Sequence, residues 1–200
     1  MAFWTSQANN VDPKRGFRFK IIFGGFDADN SGIVWWAKKV TKPGFQITEA
    51  KHAFLNHSFY YPGRVEWQEI TMTLVDPVSP GAVAQTNLMV EASGYKIPKD
   101  GTNLGSMSKK KAAAALGAIE IIQIDGDGDA IETWSLKQAF IKNVKYGELS
   151  YEDDNLTEIE LTLRYDWATC TLSADGKGNL TPIDGSQGLN IKEQFGLQAT

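Results

Sequence analysis

The sequence predicts a mainly β protein with one or two helices, and three observations carry that reading. Segments near both ends alternate apolar and polar residues with the period of two that half-buried strands require. An apolar run, Ile119 to Ile124, meets the turn-forming stretch Asp125-Gly-Asp-Gly-Asp129, and a second run, Ile131 to Leu136, follows at once in the pattern of a hairpin. Helix signals are confined to two stretches between residues 79 and 117.

Taken in chain order, Phe17, Phe19, Ile21 and Phe23 occupy odd positions around Arg18 and Lys20, which predicts a first strand. Val65 and Trp67 are also odd, but Ile70, Met72 and Leu74 are even, so a bulge near Gln68 and Glu69 is expected to keep both sets on one core. Ser79 is suited to cap a helix with Pro80 in its first turn, and Gly94 to end it. On that helix Ala84, Leu88 and Ala92 share one face while Val83 and Val90 lie nearly opposite, so apolar groups emerge on two sides. A second helix is expected from Ser108 to Gly117, driven by Ala112 to Ala115, although Lys109 to Lys111 crowd its first turn against the helix dipole. The clearest strand puts Ile159, Leu161, Leu163, Tyr165 and Trp167 on one face and Glu158, Glu160, Thr162 and Arg164 on the other. Turn residues dominate after Cys170, which predicts an appended hairpin or arm. The expected division is an N-terminal arm (1–15), a β-domain (16–168, with an insertion at about 77–117) and a C-terminal arm or hairpin (169–200).

At 200 residues the chain can bury a core without disulfide or metal support. Its apolar stretches fall short of the roughly 18 residues a membrane-spanning helix needs. Residues 1–10 lack the basic start and apolar run of a signal peptide, and Cys170 is a lone thiol, so synthesis and assembly in a cytosol are expected. A net charge of −4 argues against a tight nucleic-acid binder, which needs a basic face to displace counterions.

The chemistry-bearing patterns are thin. Asp27-x-Asp29-x-Ser31-Gly32 imitates the start of a calcium loop, but its twelfth position is Lys38 where a bidentate glutamate is required. Asp125 to Asp129 lacks both the glycine and the glutamate and reads as a solvated turn. His52 and His57 have no cysteine nearby and fit no zinc spacing, so they are expected at a surface or interface. Glu158 and Glu160 alternate with apolar residues on one strand, which a wet sheet face explains better than glycosidase chemistry. Neither a nucleophile elbow nor a phosphate-binding loop is present, and no cofactor is expected. Of the six tryptophans, Trp134 and Trp167 sit in strand patterns and are expected in the core. Trp35 and Trp36 must point to opposite sides of a strand, so with Val83 and Val90 they are candidate subunit contacts.

Two blocks resemble the tail tube proteins of contractile-tailed, T-even-like bacteriophages. The first, Phe17 to Pro77, holds Phe17-Arg-Phe-Lys-Ile-Ile22, Ala37-Lys-Lys-Val-Thr-Lys-Pro-Gly44 and the run from Pro62-Gly63-Arg64 through Trp67 to Asp76. The second, Glu132 to Ala168, holds Trp134 to Leu149, then Asn155 and Thr157-Glu-Ile-Glu-Leu-Thr-Leu-Arg-Tyr165. The resemblance covers about half the chain and rests on order, spacing and strand pattern. It implies a β-sandwich or half-barrel with a flanking helix, six copies per ring contributing strands to a common barrel, and rings stacked as a tube inside a sheath. Implied partners are the chain itself, the sheath protein, baseplate and tail terminator proteins, and DNA passing through the lumen without specific binding, in a virion tail.

If neighbouring sheets form such a barrel, the wet faces of the predicted strands supply candidate lumen residues: Glu66, Thr71, Thr73, Glu158, Glu160, Thr162 and Arg164. The alternatives are a tube-like ring or tube-initiating protein of a related contractile injection system or baseplate, and, from another class, a carbohydrate-binding β-sandwich using the tryptophans. An enzyme is the weakest reading, because no nucleophile, base and oxyanion donor can be assembled from these residues.

Overall fold

A computed structural model describes residues 13–24, 37–79, 81–96, 105–152, 154–173 and 180–182. Trp35, Trp36, the calcium-like stretch 27–32 and residues 97–104 of the insertion lie outside these. The described elements are β1 (Phe19–Phe23), β2 (Ala37–Val40), β3 (Phe45–Phe54), β4 (His57–Trp67), β5 (Ile70–Val75), α1 (Ala82–Ala92), α2 (Lys109–Leu116), β6 (Ile119–Ile124), β7 (Ala130–Lys137), β8 (Phe140–Lys145), β9 (Glu158–Arg164), β10 (Trp167–Ser173) and β11 (Leu180–Pro182).

Two antiparallel sheets face each other across one core. The five-stranded sheet has the order β1-β6-β7-β10-β11 and the four-stranded sheet β2-β5-β9-β8. Ile70, Met72 and Leu74 pair with Leu163, Leu161 and Ile159 across β5 and β9, and all six are buried. They pack on Ile21, Phe23, Ile119, Ile121 and Leu136 of the opposite sheet, joined by Ala82 and Met89 of α1 and Leu116 of α2. The expected mainly β fold with two flanking helices is what the chain adopts.

Local chemistry explains the element ends. Ser108 caps α2 by accepting from the Lys111 backbone N–H, and Gly117 ends it with φ 61°. Asp125 organises the β6–β7 turn by accepting from the backbone N–H groups of Asp127 and Asp129 at 2.9 and 2.8 Å. Helix α1 starts later than its sequence suggests, after Gly81, and its cap comes from outside the helix. Asp76 Oδ1 accepts from Ala82 N at 2.9 Å, so the β5–α1 connection supplies what Ser79 was expected to give.

Two expectations are corrected. The phase change after Trp67 is a corner between sheets, not a bulge: β4 ends there, Gln68 N bonds to Gly44 O, and β5 begins at Ile70 in another sheet. Val65 therefore stays exposed instead of turning to the core. Trp167 opens β10 opposite Lys137 and remains 47% exposed, whereas Trp134 does pack against the core. Strand β10 pairs with β7 from Trp167 to Leu172.

Candidate assembly interface

Burial and exposure divide the four-stranded sheet by face. On the side away from the core, Thr71 stands beside Thr162, Thr73 beside Glu160 and Lys39, Asn143 beside Thr162, and Lys145 beside Glu160. Thr41 Oγ1 meets Thr71 Oγ1 at 2.7 Å. Lys38 is paired with Glu158, Lys142 with Glu69, Lys145 with Glu160 at 3.3 Å, and Arg164 with Glu69 at 3.7 Å. Among the described residues four cations thus meet three carboxylates on this face and Lys39 stands beside Thr73, a basic surplus on a chain whose net charge is −4. Such exposed pairs contribute at most about 1 kcal/mol each, while each buried Leu or Ile beneath them contributes roughly 1.5–3 kcal/mol. The core side holds the sheet, which leaves the composition of the wet side free to serve another purpose.

Six of the seven lumen candidates, Thr71, Thr73, Glu158, Glu160, Thr162 and Arg164, share this wet face. Glu66 does not: it pairs with Gln46 in the separate β3–β4 ribbon. The edge strands are β2 and β8, each bonded on one side only among the described residues. Exposed ladder groups of this kind are open to a neighbour's strand. On α1, Val83 and Val90 are half-buried, Val83 against the core, and the exposed apolar face is that of Ala84, Leu88 and Ala92.

The β3–β4 ribbon is the feature that the sequence reading missed. Its strands of 10 and 11 residues turn at Leu55 and Asn56, with Leu55 at φ 51°, a left-handed backbone rarely taken by leucine. Its base is anchored by Phe45 against Trp67 (ring centroids 5.3 Å) and Trp67 against Tyr165 (5.8 Å). Beyond that base the register puts Phe54, Phe59 and Tyr61 on one face with His52 and His57, and Ile47, Val65 and Tyr60 on the other. All of these apolar residues are exposed. A two-stranded ribbon with apolar groups on both faces is marginal in water and calls for a partner. The signal was present in Phe59-Tyr60-Tyr61, since three consecutive aromatics cannot all point to one side of a strand.

A polar cluster closes one end of the sandwich. Buried Glu132 accepts from Lys14 Nζ at 2.5 Å, Lys42 Nζ at 2.7 Å and Trp134 Nε1 at 2.5 Å, while Lys42 also donates to Gln123 Oε1. Burial alone would push the Glu132 carboxyl up, but the hydrogen bonds from Lys14, Lys42 and Trp134 outweigh it and bring the pKa down to about 2. The cluster ties the segment before β1 and the β2–β3 connection, which leads into the ribbon, to the five-stranded sheet.

No protein-family model and no curated protein matches the chain. Solved structures do. The anti-feeding prophage cap, a tube terminating cap, superposes with a TM-score of 0.58 at 15% identity, covering 86% of this chain and 100% of that one. A chain of the six-fold symmetrised anti-feeding prophage baseplate gives 0.55 at 12% identity over 80% and 96% of the two chains. One from the sheath-tube complex of PVC, an extracellular contractile injection system, gives 0.54 at 14% identity over 84% and 98%. At these identities the likeness establishes the shared fold.

Proposed function

We propose that this chain is a non-enzymatic subunit of the inner tube of a contractile tail or injection apparatus, assembling into hexameric rings that stack inside a sheath. The observation that carries the reading is the pairing of an open-edged, one-side-wet sheet with a long ribbon exposing apolar residues on both faces, in a fold shared with chains of tube and baseplate assemblies. Edge strands β2 and β8 of adjacent copies would pair to close a ring-wide barrel, and the ribbon would seat against a neighbouring copy. The purified protein should form rings or hollow tubes visible by negative-stain electron microscopy. A monomer at high concentration, unchanged by tube-initiating proteins, would overturn the reading.

The resemblance of Phe17–Pro77 and Glu132–Ala168 to T-even-like tail tubes supports a virion in which the passenger is DNA. The basic surplus on the wet sheet face supports the second form, an injection-system tube, because a basic wall attracts phosphate and hinders DNA passage. Extraction of nucleic acid from purified native particles separates the two.

A further inference from the structure

A groove of about 610 Å³ runs between α2 and the β7–β8 corner, floored by Ala113, Ala114 and Gly117 and rimmed by Lys110 and Lys137. Its size is in the range that accepts a bulky side-chain cluster. Lys109 at its edge is held by Asp166 at 2.5 Å, but neither Lys110 nor Lys137 has a carboxylate partner among the described residues.

The β8–β9 loop has the opposite character. Leu149, Tyr151 and Leu156 are 88%, 112% and 70% exposed, and Glu152 and Asp154 make no ion pair among the described residues. Its base is fixed: Tyr146 Oη donates to Asn87 Oδ1 of α1 at 2.6 Å, and Gly147 at φ 76° leaves no room for a Cβ, which would fall 2.7 Å from Glu158 O. Anchoring the base lowers the ordering cost of docking the tip.

The two features sit at opposite ends of β8. The groove borders the corner that leads into Phe140, and the loop leaves after Lys145, six residues or roughly 20 Å away. Within one chain the length of β8 separates the loop from the groove, and a second copy displaced along that strand brings the two together. We propose that the acidic, apolar β8–β9 loop of one copy docks in the lysine-rimmed groove of the next, a head-to-tail contact between copies of this chain. The loop's leucine and tyrosine meet the alanine floor, and its carboxylates meet Lys110 and Lys137. The contact rests on the assembling reading above and specifies which surfaces meet.

Charge reversal tests it in the full-length chain. Lys110→Glu with Lys137→Glu, at exposed or half-buried positions, should leave the circular dichroism unchanged and lower the assembled fraction at low salt about tenfold. Glu152→Lys with Asp154→Lys should do the same. Carrying all four changes in one chain, or mixing the two variants, should restore assembly. In a Cys170→Ser background, Lys110→Cys with Tyr151→Cys should form intermolecular disulfides within the assemblies. If wild type never assembles, the tube reading itself falls. If wild type assembles but the variants assemble equally well and no disulfide forms, this contact is wrong while the tube reading stands.

Discussion

Lys14 and Glu132 stand 118 positions apart in the chain and meet at 2.5 Å in the fold, with Lys42 on the other oxygen of the same buried carboxylate. The folded carboxyl titrates near 2 where its ordinary value is 4.5, so the unfolded chain binds the proton first. The stabilisation is therefore complete above about pH 4.5 and is lost as pH falls toward 2. Glu132→Gln should lower stability at pH 7 by about 1–2 kcal/mol, and the gap from wild type should close as the pH approaches 2. Thermal melts across pH 2–7 read this directly; a gap independent of pH would show that Glu132 contributes through packing alone.

The ribbon should matter to assembly and not to folding. Phe54→Asp with Phe59→Asp replaces exposed side chains on one face of the distal ribbon, so the melting temperature should stay within a few degrees of wild type. The same change puts charge into the surface proposed to seat against a neighbour, and tubes should be lost from electron micrographs. Unimpaired tubes would remove the ribbon from the interface.

Strand β10 sets where the chain can be cut. Ending the chain after Ser173 keeps the whole β7–β10 ladder, and the cooperative melt should survive. Ending it after Asp166 strips β7 of one of its two partner strands beside Trp134 and Leu136 and leaves a new open edge, which should give an aggregating or unfolded product by circular dichroism. A folded, soluble 1–166 chain would mean that β10 is dispensable.

How much of this was legible follows from what each residue answers to. Strands β5 and β9 were readable because one face meets a single core, so Ile70-x-Met72-x-Leu74 and Ile159-x-Leu161-x-Leu163 alternate cleanly. Helix α2 was readable from Ser108 and Gly117, whose capping is local. The corner at Gln68 was not, because a change of apolar phase is the same signal whether a strand bulges or switches sheets. The ribbon escaped because its turn is Leu55-Asn56, without the Asn-Gly or Asp-Gly signature, and both of its faces carry apolar groups. The Glu132 cluster and the Asp76 cap depend on partners brought in by tertiary folding, which no local pattern announces.

The wet face of the four-stranded sheet gives the test of where the lumen lies. Glu158 and Glu160 project from β9 and bridge to Lys38 of β2 and Lys145 of β8, so each carboxylate neutralises a lysine of an edge strand. Glu158→Gln with Glu160→Gln keeps the side-chain size, and because both pairs are exposed the change should cost under about 1 kcal/mol in stability. It frees both lysines and raises the surplus of positive charge in every copy by two, repeated around each proposed ring. If this face lines the lumen, tubes assembled from the double variant should trap short labelled single-stranded DNA at low salt in a nuclease-resistant form. They should release it at high salt, as counterions compete for the lysines. Wild-type tubes, with their carboxylates in place, should hold less. Nuclease protection distinguishes the two sides of the wall: DNA bound by the variant yet fully digested would put Glu158 and Glu160 on the outer surface of the tube.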